Sequence, residues 1–442
     1  MEHVDTIVIG AGVSGLAAAR LLRRAGRRVV VLEARDRIGG RVWTGRDGGA
    51  ITDLGASWIH GIDDCPVADA TRAFGMRMHE FTVGSYQVDG RPIAYFSPEG
   101  APLGDDAAAG FAADVRAVDA ALRDAIAGSA PLDTYRHVTE SAIAAQGWAP
   151  DRAARVREFL EHRTEEQYGA WIEDLAAHGL DDDAVEGDEV VFPDGYDRLP
   201  AALAEGLDVR LEHVVSRVAW SGSGVRVTAD GRVVSADTCV LTVPVGVLRS
   251  GDLAIDPPLP DAVAGPLSRL EMNAFEKVFL RFPTRFWGEG AYAIRQQGPE
   301  GRWWHSWYDL TDLHGTPTLL TFAAGPAARA IAGWDADRVA ASVMAQLRRL
   351  YGDGIPEPEG VAVTAWQADP YARGAYAFMR PGSTTGDHDA LATPVGGVLH
   401  LAGEATWTDD PATVPAALRS GHRAACRILG EDVAIEELWA RS

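Results

Sequence analysis

The chain has 442 residues, of which 24% are charged and 47% are hydrophobic. These proportions are typical of a globular protein in water, and the length is sufficient for two or three domains. The formal net charge of −22 argues against a nucleic-acid partner, because binding to a phosphate backbone needs a basic surface. The same charge would suit a cationic substrate, although an acidic, solvated surface explains it without any ligand.

The cysteine content predicts a reducing environment. The three cysteines are Cys65, Cys239 and Cys426, and their wide spacing supports neither a disulfide framework nor a cysteine-ligated metal site. No metal is expected. A strand is predicted directly after the first residues, and no run of about eighteen apolar residues is present. We therefore expect no secretion signal, no membrane partner and a cytoplasmic location.

Residues 5–33 predict a βαβ unit that binds a dinucleotide. A β-branched run meets Gly10, Gly12 and Gly15 in G-x-G-x-x-G order, a helical segment follows, and a second apolar run ends at Glu33. The glycines allow a tight turn, close approach of the backbone to a pyrophosphate, and close packing of helix on strand. Glu33 can accept hydrogen bonds from ribose hydroxyls, which favours FAD or NAD over NADP. The alternative is a glycine-rich turn without a ligand.

Two loops after the βαβ unit are predicted to approach the same ligand. In the first loop, Gly39 and Gly40 let the backbone lie close to a ligand, while Arg35 and Arg41 offer guanidinium groups to phosphate. In the second, residues 53–61, small residues surround a tryptophan and a histidine. Small residues of this kind allow a flat ring to reach the backbone.

Three later segments are predicted to be helical. Ala, Leu, Arg and Glu dominate residues 105–126 and 151–177, and an Ala/Arg/Leu pattern covers about 336–350. A run of acidic residues over 181–189 is interpreted as a solvated loop between domains, with a cation-binding rim as the alternative.

The remaining segments are predicted to form sheets. Between 190 and 248, short apolar runs alternate with turn signals at 194–195 and 230–231, which indicates hairpins. The aromatic residues at 303–308 are interpreted as core packing, with a ligand cage as the alternative. The final segment, 398–430, has the pattern of a strand, a Gly-Glu turn and a helix.

Lys277 is the single lysine among 41 basic residues, the other 40 being arginines. An ammonium group is compact and has a tunable pKa, whereas a guanidinium is planar and always charged, so the two cannot exchange where a proton must move. We therefore predict that Lys277 is functional. The alternative is a lysine left by chance on an edge strand.

Together these motifs resemble the flavin-dependent amine oxidase family, with the greatest likeness to polyamine oxidases and the catalytic domain of lysine-specific histone demethylases. The resemblance covers most of the chain and is weakest at about 83–185. It is carried by the G-x-G-x-x-G unit with its glutamate, the Gly-Gly-Arg loop, and the segments 53–61, 211–215, 236–248, 275–280, 374–376, 399–407 and 411–414.

The resemblance implies an α/β fold with two domains. A Rossmann-like FAD-binding domain would be discontinuous, formed by residues 1–82, 186–271 and 394–432. An α+β substrate domain, with a mixed sheet and helices, would be formed by residues 83–185 and 272–393.

The resemblance also implies roles for individual residues. Lys277 would hold a water against flavin N5 and assist the reaction of reduced flavin with oxygen, and His60 would orient the amine or accept its proton. Tyr376 would form one wall beside the flavin. Thr413 stands where monoamine oxidases have the opposite tyrosine, and Ala375 stands where they have the cysteine that links the flavin, so FAD should be bound noncovalently.

The other residues implied by the resemblance share a predicted contact with FAD. They are Gly10, Gly12, Ser14, Gly15, Glu33, Ala34, Arg35, Gly40, Arg41, Gly55, Ala56, Ser57, Val215, Gly403, Glu404, Thr413 and Val414.

The predicted reaction is oxidation of a small amine, preferably polyamine-like, to an imine and aldehyde, with oxygen reduced to hydrogen peroxide. One alternative is an L-amino-acid oxidase or another biosynthetic flavin oxidase of this fold, which would need a buried arginine for the substrate carboxylate. Further alternatives are a demethylase-like chromatin module and a flavoprotein without oxidase activity.

Overall fold

The computed structural model describes residues 2–46, 50–82, 92–178 and 187–440. Most of the acidic run predicted as a solvated loop, residues 181–186, lies outside these ranges. None of the described helices is long and apolar enough to cross a membrane.

The strands of the described residues form two large sheets and three small pairs. In chain order the strands are β1 (Glu2–Ile9), β2 (Val29–Leu32), β3 (Thr44–Gly45), β4 (Thr52–Asp53), β5 (His79–Glu80), β6 (Ile93–Phe96), β7 (Val190–Val191), β8 (Asp208–Arg210), β9 (Val215–Ser221), β10 (Gly224–Ala229), β11 (Arg232–Leu241), β12 (Ala254–Asp256), β13 (Leu270–Met272), β14 (Phe275–Arg281), β15 (Ala293–Gln296), β16 (Ser306–Asp309), β17 (Thr318–Ala324), β18 (Gly360–Val363), β19 (Ala377–Met379) and β20 (Leu399–Leu401).

The helices pack on these sheets or on one another. In chain order they are α1 (Val13–Arg24), α2 (Pro66–Ala73), α3 (Asp105–Ala127), α4 (Tyr135–Ala144), α5 (Pro150–Tyr168), α6 (Arg198–Ala204), α7 (Val245–Ser250), α8 (Asp261–Arg269), α9 (Thr311–His314), α10 (Pro326–Ile331), α11 (Ala336–Tyr351), α12 (Gly386–Leu391) and α13 (Val414–Leu429).

The first large sheet has eight strands in the order β12-β9-β10-β11-β1-β2-β8, with β20 beside the second half of β11. Strand β1 is parallel to both β2 and β11. Successive residues of β1 point to opposite faces, so Val8 packs into one buried cluster while Ile7 and Ile9 pack into another. Because both faces are covered, the strand is an apolar run rather than an alternating one.

The second large sheet has six strands in the order β18-β14-β17-β16-β15-β6 and carries Lys277 on β14. Its core contains Trp304 and Trp307, which are 1% and 0% exposed. The prediction of core packing is right for these two residues. It is wrong for Trp303, which is 39% exposed and stacks on Trp334.

Two local predictions are confirmed and one is wrong. The turn at 230–231 joins β10 to β11, with positive φ at Asp230 and Gly231 as a tight hairpin requires. The predicted helix at 336–350 is α11. No hairpin forms at 194–195, because the chain continues from this turn into α6.

The predicted helix at 105–126 is α3, but the one at 151–177 is shorter than expected. Helix α5 ends at Tyr168 because Gly169 adopts the left-handed conformation with φ of 60°. Residue 170 onward is irregular, and the described chain contains an additional helix, α4, that the sequence pattern did not indicate.

Candidate active site

A cavity of about 910 Å³ is lined by residues from both large sheets. Its walls come from the β1–α1 turn, the two glycine loops, β14, and the N-terminal end of α13. These segments are far apart in sequence, so the site exists only in the folded chain. Of the residues predicted to bind the cofactor or substrate, all except Gly15 line this cavity.

The three glycines of the βαβ unit have three different surroundings. Gly10 has φ of +102°, and a Cβ there would lie 2.5 Å from Thr242 Oγ1. A Cβ on Gly15 would lie 2.0 Å from the Gly10 carbonyl oxygen, so this glycine lets α1 pack on β1 and does not face the cavity. Gly12, at the N-cap of α1, has no atom within 4 Å of its Cβ position. The open space at Gly12 is therefore where a ligand can approach the helix N-terminus.

Glu33 follows β2 and is 4% exposed. Its carboxylate accepts hydrogen bonds from the backbone N–H groups of Ala11, at 2.7 Å, and Arg35, at 2.9 Å. A carboxylate has about four acceptor positions, so capacity remains for hydroxyl groups of a ligand. Ala34 and Val215 line the cavity beside it.

Arg35 and Arg41 line the cavity but bind carboxylates of the protein. Arg35 donates to Asp369 Oδ1 at 2.6 Å, and Arg41 donates to Glu404 Oε1 at 2.8 Å. Arg41 also donates to the carbonyl oxygen of Ala375 at 3.0 Å. Both guanidinium groups were predicted to be available to phosphate. Each already has a carboxylate partner, so only its remaining N–H donors are available.

The C-terminal segment closes the cavity against α1. Ser420 on α13 accepts from the backbone N–H of Gly403, at 2.9 Å, and its hydroxyl lies 3.1 Å from that of Ser14. Thr413 caps α13 by accepting from the Ala416 N–H at 3.1 Å. The predicted helix after the Gly-Glu turn is thus present, and its N-terminus, including Val414, faces the cavity.

Lys277 is 7% exposed and lies in the cavity wall. Its Nζ is surrounded by the carbonyl oxygens of Asp53, at 3.2 Å, and Gly55, at 2.6 Å, and by Ser57 Oγ. Burial lowers the pKa of Lys277 to about 8, with the nearby Asp53 carboxyl acting in the opposite direction. Burial also raises the pKa of Asp53 to about 6. The loop of Gly55 and Ala56 thus fixes the ammonium group in one position.

Aromatic side chains line the cavity beyond Lys277. Its Nζ lies 5.5 Å from the Trp58 ring, which lies 6.5 Å from Phe322. Phe322 in turn lies 5.3 Å from Tyr308. Phe275 lies 4.9 Å from Phe322 and 5.8 Å from Tyr376. We call Trp58, Phe275, Phe322, Tyr308 and Tyr376 the aromatic channel.

Tyr376 and His60 are each held by a neighbouring group. The Tyr376 hydroxyl donates to the carbonyl oxygen of Gln167 at 3.0 Å, and burial raises its pKa. His60 Nδ1 forms a hydrogen bond with Glu189 Oε1, and its ring is parallel to that of Trp58 at 6.3 Å. The hydrogen bond to Glu189 and the contact with Trp58 orient the His60 ring, and this sets the direction in which Nε2 points.

Helix α5 brings a carboxylate, Glu166, to the cavity, and the sequence motifs did not indicate it. Glu166 is 4% exposed, lines the cavity, and accepts from the Tyr308 hydroxyl at 3.0 Å. Its neighbours include His305, at 3.3 Å, and Arg295, at 3.7 Å. The signal was a polar stripe at helical spacing, formed with Glu158 and His162, in the part of the chain where the resemblance is weakest.

Metal-binding side chains also meet behind Glu166. The ligand atoms of His162, Glu165 and His305 lie within 4.8 Å of one another. The two imidazole rings, however, stack with centroids 3.8 Å apart and planes inclined by 25°. Metal coordination requires lone pairs that converge on one point. The lone pairs of these two rings lie in nearly parallel planes and do not converge.

Comparison with known proteins identifies the family. A family model described as flavin containing amine oxidoreductase matches residues 13–429. The chain belongs to this family. The resemblance of the sequence motifs to this family is thereby confirmed.

Relatives within the family include oxidases and demethylases. The chain is 30% identical to polyamine oxidase 4 of Oryza sativa subsp. japonica, over 96% of its own length and 88% of the relative's. It is 31% identical to the human lysine-specific histone demethylase 2, over 97% of its own length and 53% of the relative's. The chain thus spans about half the length of this demethylase.

Solved structures confirm the α/β fold. A putrescine oxidase bound to putrescine superposes with a TM-score of 0.78 at 24% identity, covering 97% of this chain and 99% of the other.

The residues of this flavoenzyme fit FAD, which is a flavin and a dinucleotide. Gly12 leaves space at the N-terminus of α1, and Glu33 retains acceptor capacity for ribose hydroxyls. Glu404 Oε2 is buried in the cavity wall and has no hydrogen-bond partner among the residues that the structure describes. A buried carboxylate oxygen of this kind needs a donor, and a bound ligand can supply it.

Proposed function

We propose that this flavoenzyme oxidises a small, polyamine-like amine to an imine, and that oxygen is the final electron acceptor. The amine loses two electrons and two hydrogens, water converts the imine to an aldehyde, and oxygen becomes hydrogen peroxide. Bound FAD supplies the redox chemistry. The observation that carries the proposal is the buried ammonium of Lys277 in the wall of an aromatic-lined cavity.

Lys277 is proposed to hold a water against flavin N5 and to promote the reaction with oxygen. Its three oxygen partners keep the positive charge at one place in the wall, and a water can replace one of them. Oxygen gains negative charge as it accepts electrons, and a preorganised cation stabilises that charge in a site from which water is largely excluded.

His60 and Tyr376 are proposed to bind the amine. The Glu189 carboxylate fixes the His60 ring, so that Nε2 can accept a proton from a substrate ammonium or orient the neutral amine. Tyr376 is anchored through its hydroxyl, which leaves its ring as a wall for the carbon bearing the nitrogen.

The cofactor contacts are proposed to be those implied by the family motifs, with Gly15 acting through packing alone. FAD is proposed to be noncovalent, because Ala375 lines the cavity without a nucleophilic side chain. A cytoplasmic location is proposed from the three unpaired cysteines.

An amine is favoured over an amino acid because two of the three arginines of the described cavity wall are already paired with carboxylates. Arg35 and Arg41 bind Asp369 and Glu404, and Arg419 donates to the carbonyl oxygen of Asp64. A substrate carboxylate needs a guanidinium with free donors directed at it. A methylated lysine peptide is the second candidate substrate, favoured by the similarity to histone demethylases.

Anaerobic mixing of the holoenzyme with a panel of substrates tests the proposal. The panel contains spermine, spermidine, putrescine, arylalkylamines, L-amino acids and a methylated lysine peptide, and the flavin absorbance band is followed. Bleaching by the amines, with hydrogen peroxide formed on admission of air, is the expected result. Bleaching by L-amino acids alone or by the peptide alone would reject the small-amine proposal, as would a protein purified without flavin.

A further inference from the structure

A second, smaller cavity of about 120 Å³ lies beside the large one. Its walls come from the segments 50–58 and 191–193, from α9 with Leu310 before it, and from strands β14 and β17. Ser57 and Trp58 line both cavities and therefore form a shared wall between them. We call the smaller space the side cavity.

The pairing of β14 with β17 places the side cavity next to Lys277. Lys277 pairs with Phe322, and Phe279 pairs with Leu320. Residues two apart on a strand, and residues directly opposite each other on neighbouring strands, share a face of the sheet. Lys277 and Phe322 line the large cavity, whereas Phe279 and Leu320 line the side cavity. The two cavities thus lie along one face of the sheet, one cross-strand pair apart.

The atoms that hold the Lys277 ammonium belong in part to the wall of the side cavity. Nζ contacts the Asp53 carbonyl oxygen, at 3.2 Å, and Ser57 Oγ. Both Asp53 and Ser57 line the side cavity, although Lys277 itself lines the large one. The ammonium group is therefore bonded to the structure that separates the two spaces.

Much of the lining of the side cavity is apolar. Phe279 and Leu310 are each 3% exposed, Leu320 is 0% exposed, and all three belong to one buried apolar cluster. An apolar cavity of about 150 Å³ stays free of water and takes up small apolar molecules such as xenon. The side cavity is of similar size.

The polar side chains of the side cavity offer little to a charged ligand. Asp53 Oδ1 accepts from the Thr44 hydroxyl at 2.5 Å and from the Tyr196 N–H at 3.1 Å. The Ser57 hydroxyl is bonded to the ammonium group. Burial and a neighbouring arginine lower the pKa of His314 to about 4, so this ring is neutral at pH 7.

We infer that the side cavity binds dioxygen and passes it to the Lys277 ammonium. The inference rests on the proposed oxidase reaction and adds a binding site for its second substrate. Dioxygen is small, uncharged and apolar, so it gains by leaving water for an apolar space, whereas a charged amine does not. No bond is formed or broken in the side cavity. Dioxygen takes up the two electrons removed from the amine, together with two protons, only after it has reached the large cavity.

Filling the side cavity tests the inference. Leu313 is half-buried in its wall, and Leu313→Trp places a larger ring there. We expect the rate constant for oxygen with the reduced holoenzyme to fall about fivefold or more, the factor that corresponds to about 1 kcal/mol. Stopped-flow mixing measures this rate, and anaerobic reduction by the amine should keep its own rate. Leu313→Ala enlarges the space and should not slow the oxygen reaction. Equal slowing by both variants would overturn the inference.

A second filling variant has a matched control on the same strand. Leu319 and Leu320 are neighbours on β17, and both are 0% exposed. They point to opposite faces of the sheet, and Leu319 lines neither cavity. We expect Leu320→Phe to slow the oxygen reaction and Leu319→Phe to leave it unchanged. Flavin content and the thermal midpoint of each variant report its folding. The same slowing in both variants, or unchanged rates in both Leu313→Trp and Leu320→Phe, would overturn the inference.

Xenon is a direct probe of the same space. Crystals of the wild-type holoenzyme under xenon gas should show xenon in the side cavity, and crystals of Leu313→Trp should show less or none. Absence of xenon from the wild-type side cavity would overturn the inference. A wild-type enzyme that the amine reduces but that oxygen does not reoxidise would instead reject the proposed oxidase function.

Discussion

Lys277 combines a buried ammonium with three fixed oxygen partners. Lys277→Met keeps the length and the apolar stem but removes the charge. We expect the reaction of reduced flavin with oxygen to slow about 10²-fold, the size of effect seen when one preorganised donor is removed. Stopped-flow mixing of the reduced enzyme with oxygen measures this step. The rate of anaerobic bleaching by the amine is the control, and an unchanged oxidation rate would remove Lys277 from the oxygen step.

The pKa of Lys277 gives this step a pH dependence. Burial lowers that pKa from its ordinary value of 10.5 to about 8. Below pH 8 the ammonium is protonated and can stabilise charge on oxygen, and as the pH rises through about 8 that charge is lost. We therefore expect the oxidation rate of the reduced enzyme to fall above pH 8. Lys277→Arg, which stays charged, should show no inflection there. An inflection at the same pH in both proteins would assign it to another group.

Two glycines of the βαβ unit have different roles: Gly15 lets α1 pack closely on β1, and Gly12 leaves space for a ligand. A Cβ on Gly15 would lie 2.0 Å from the Gly10 carbonyl oxygen, whereas Gly12 has open space at its Cβ position. Gly15→Ala should therefore lower the thermal midpoint of the apoprotein, because α1 must move away from β1. Gly12→Ala should leave that midpoint nearly unchanged but weaken FAD binding, because its methyl group occupies ligand space. Calorimetry of the apoprotein and FAD titration measure the two effects. The opposite ranking would contradict this assignment of roles.

Helix α13 depends on the cap that Thr413 provides. The Thr413 hydroxyl accepts from the N–H of Ala416 at 3.1 Å. Thr413→Val removes this bond, together with the one that the hydroxyl donates to the Asp410 carbonyl oxygen at 2.6 Å, at nearly constant shape. It should cost about 1 kcal/mol of stability or slightly more, as loss of an N-cap usually does. Thr413→Ser retains the hydroxyl and is the matched control. Chemical unfolding of both variants measures the difference, and equal stabilities would show that the cap contributes nothing.

At the scale of the whole molecule, the cavity joins segments from the start, middle and end of the chain. A noncovalently bound FAD should therefore dissociate when the chain unfolds and these segments move apart. Acid denaturation is expected to release all of the yellow colour into the supernatant, and excess FAD should raise the thermal midpoint of the folded protein by mass action. Colour that stays with the precipitated chain would contradict noncovalent binding.

Much of the fold could be predicted because its signals are local. The β1–α1–β2 unit, α3, α11 and the strand-turn-helix ending at α13 each follow from a pattern within about thirty residues. The premature end of α5 could not be predicted from composition, since it depends on Gly169 adopting a left-handed conformation. At 194–195 the chain turns and continues into α6, and a local turn signal does not distinguish this outcome from a hairpin.

The candidate site likewise contains residues that could be identified from the sequence and contacts that could not. Its glycines, Glu33 and Lys277 were identified from motif and residue usage, because their chemistry is tied to their type. The partners of Arg35 and Arg41 were not identified, since Asp369 and Glu404 lie more than 300 residues away in the chain.

The family and the flavin cofactor could be predicted from the amino-acid sequence, because both follow from residue types at short, regular spacing. Lys277 could be singled out because it is the one lysine among 41 basic residues. The hydrogen bond from the Tyr308 hydroxyl to the Glu166 carboxylate and the lowering of the Lys277 pKa by burial are visible only in the folded chain. Burial and such contacts belong to residues brought together from distant segments, whereas turn geometry and helical periodicity belong to residues that are neighbours in the chain.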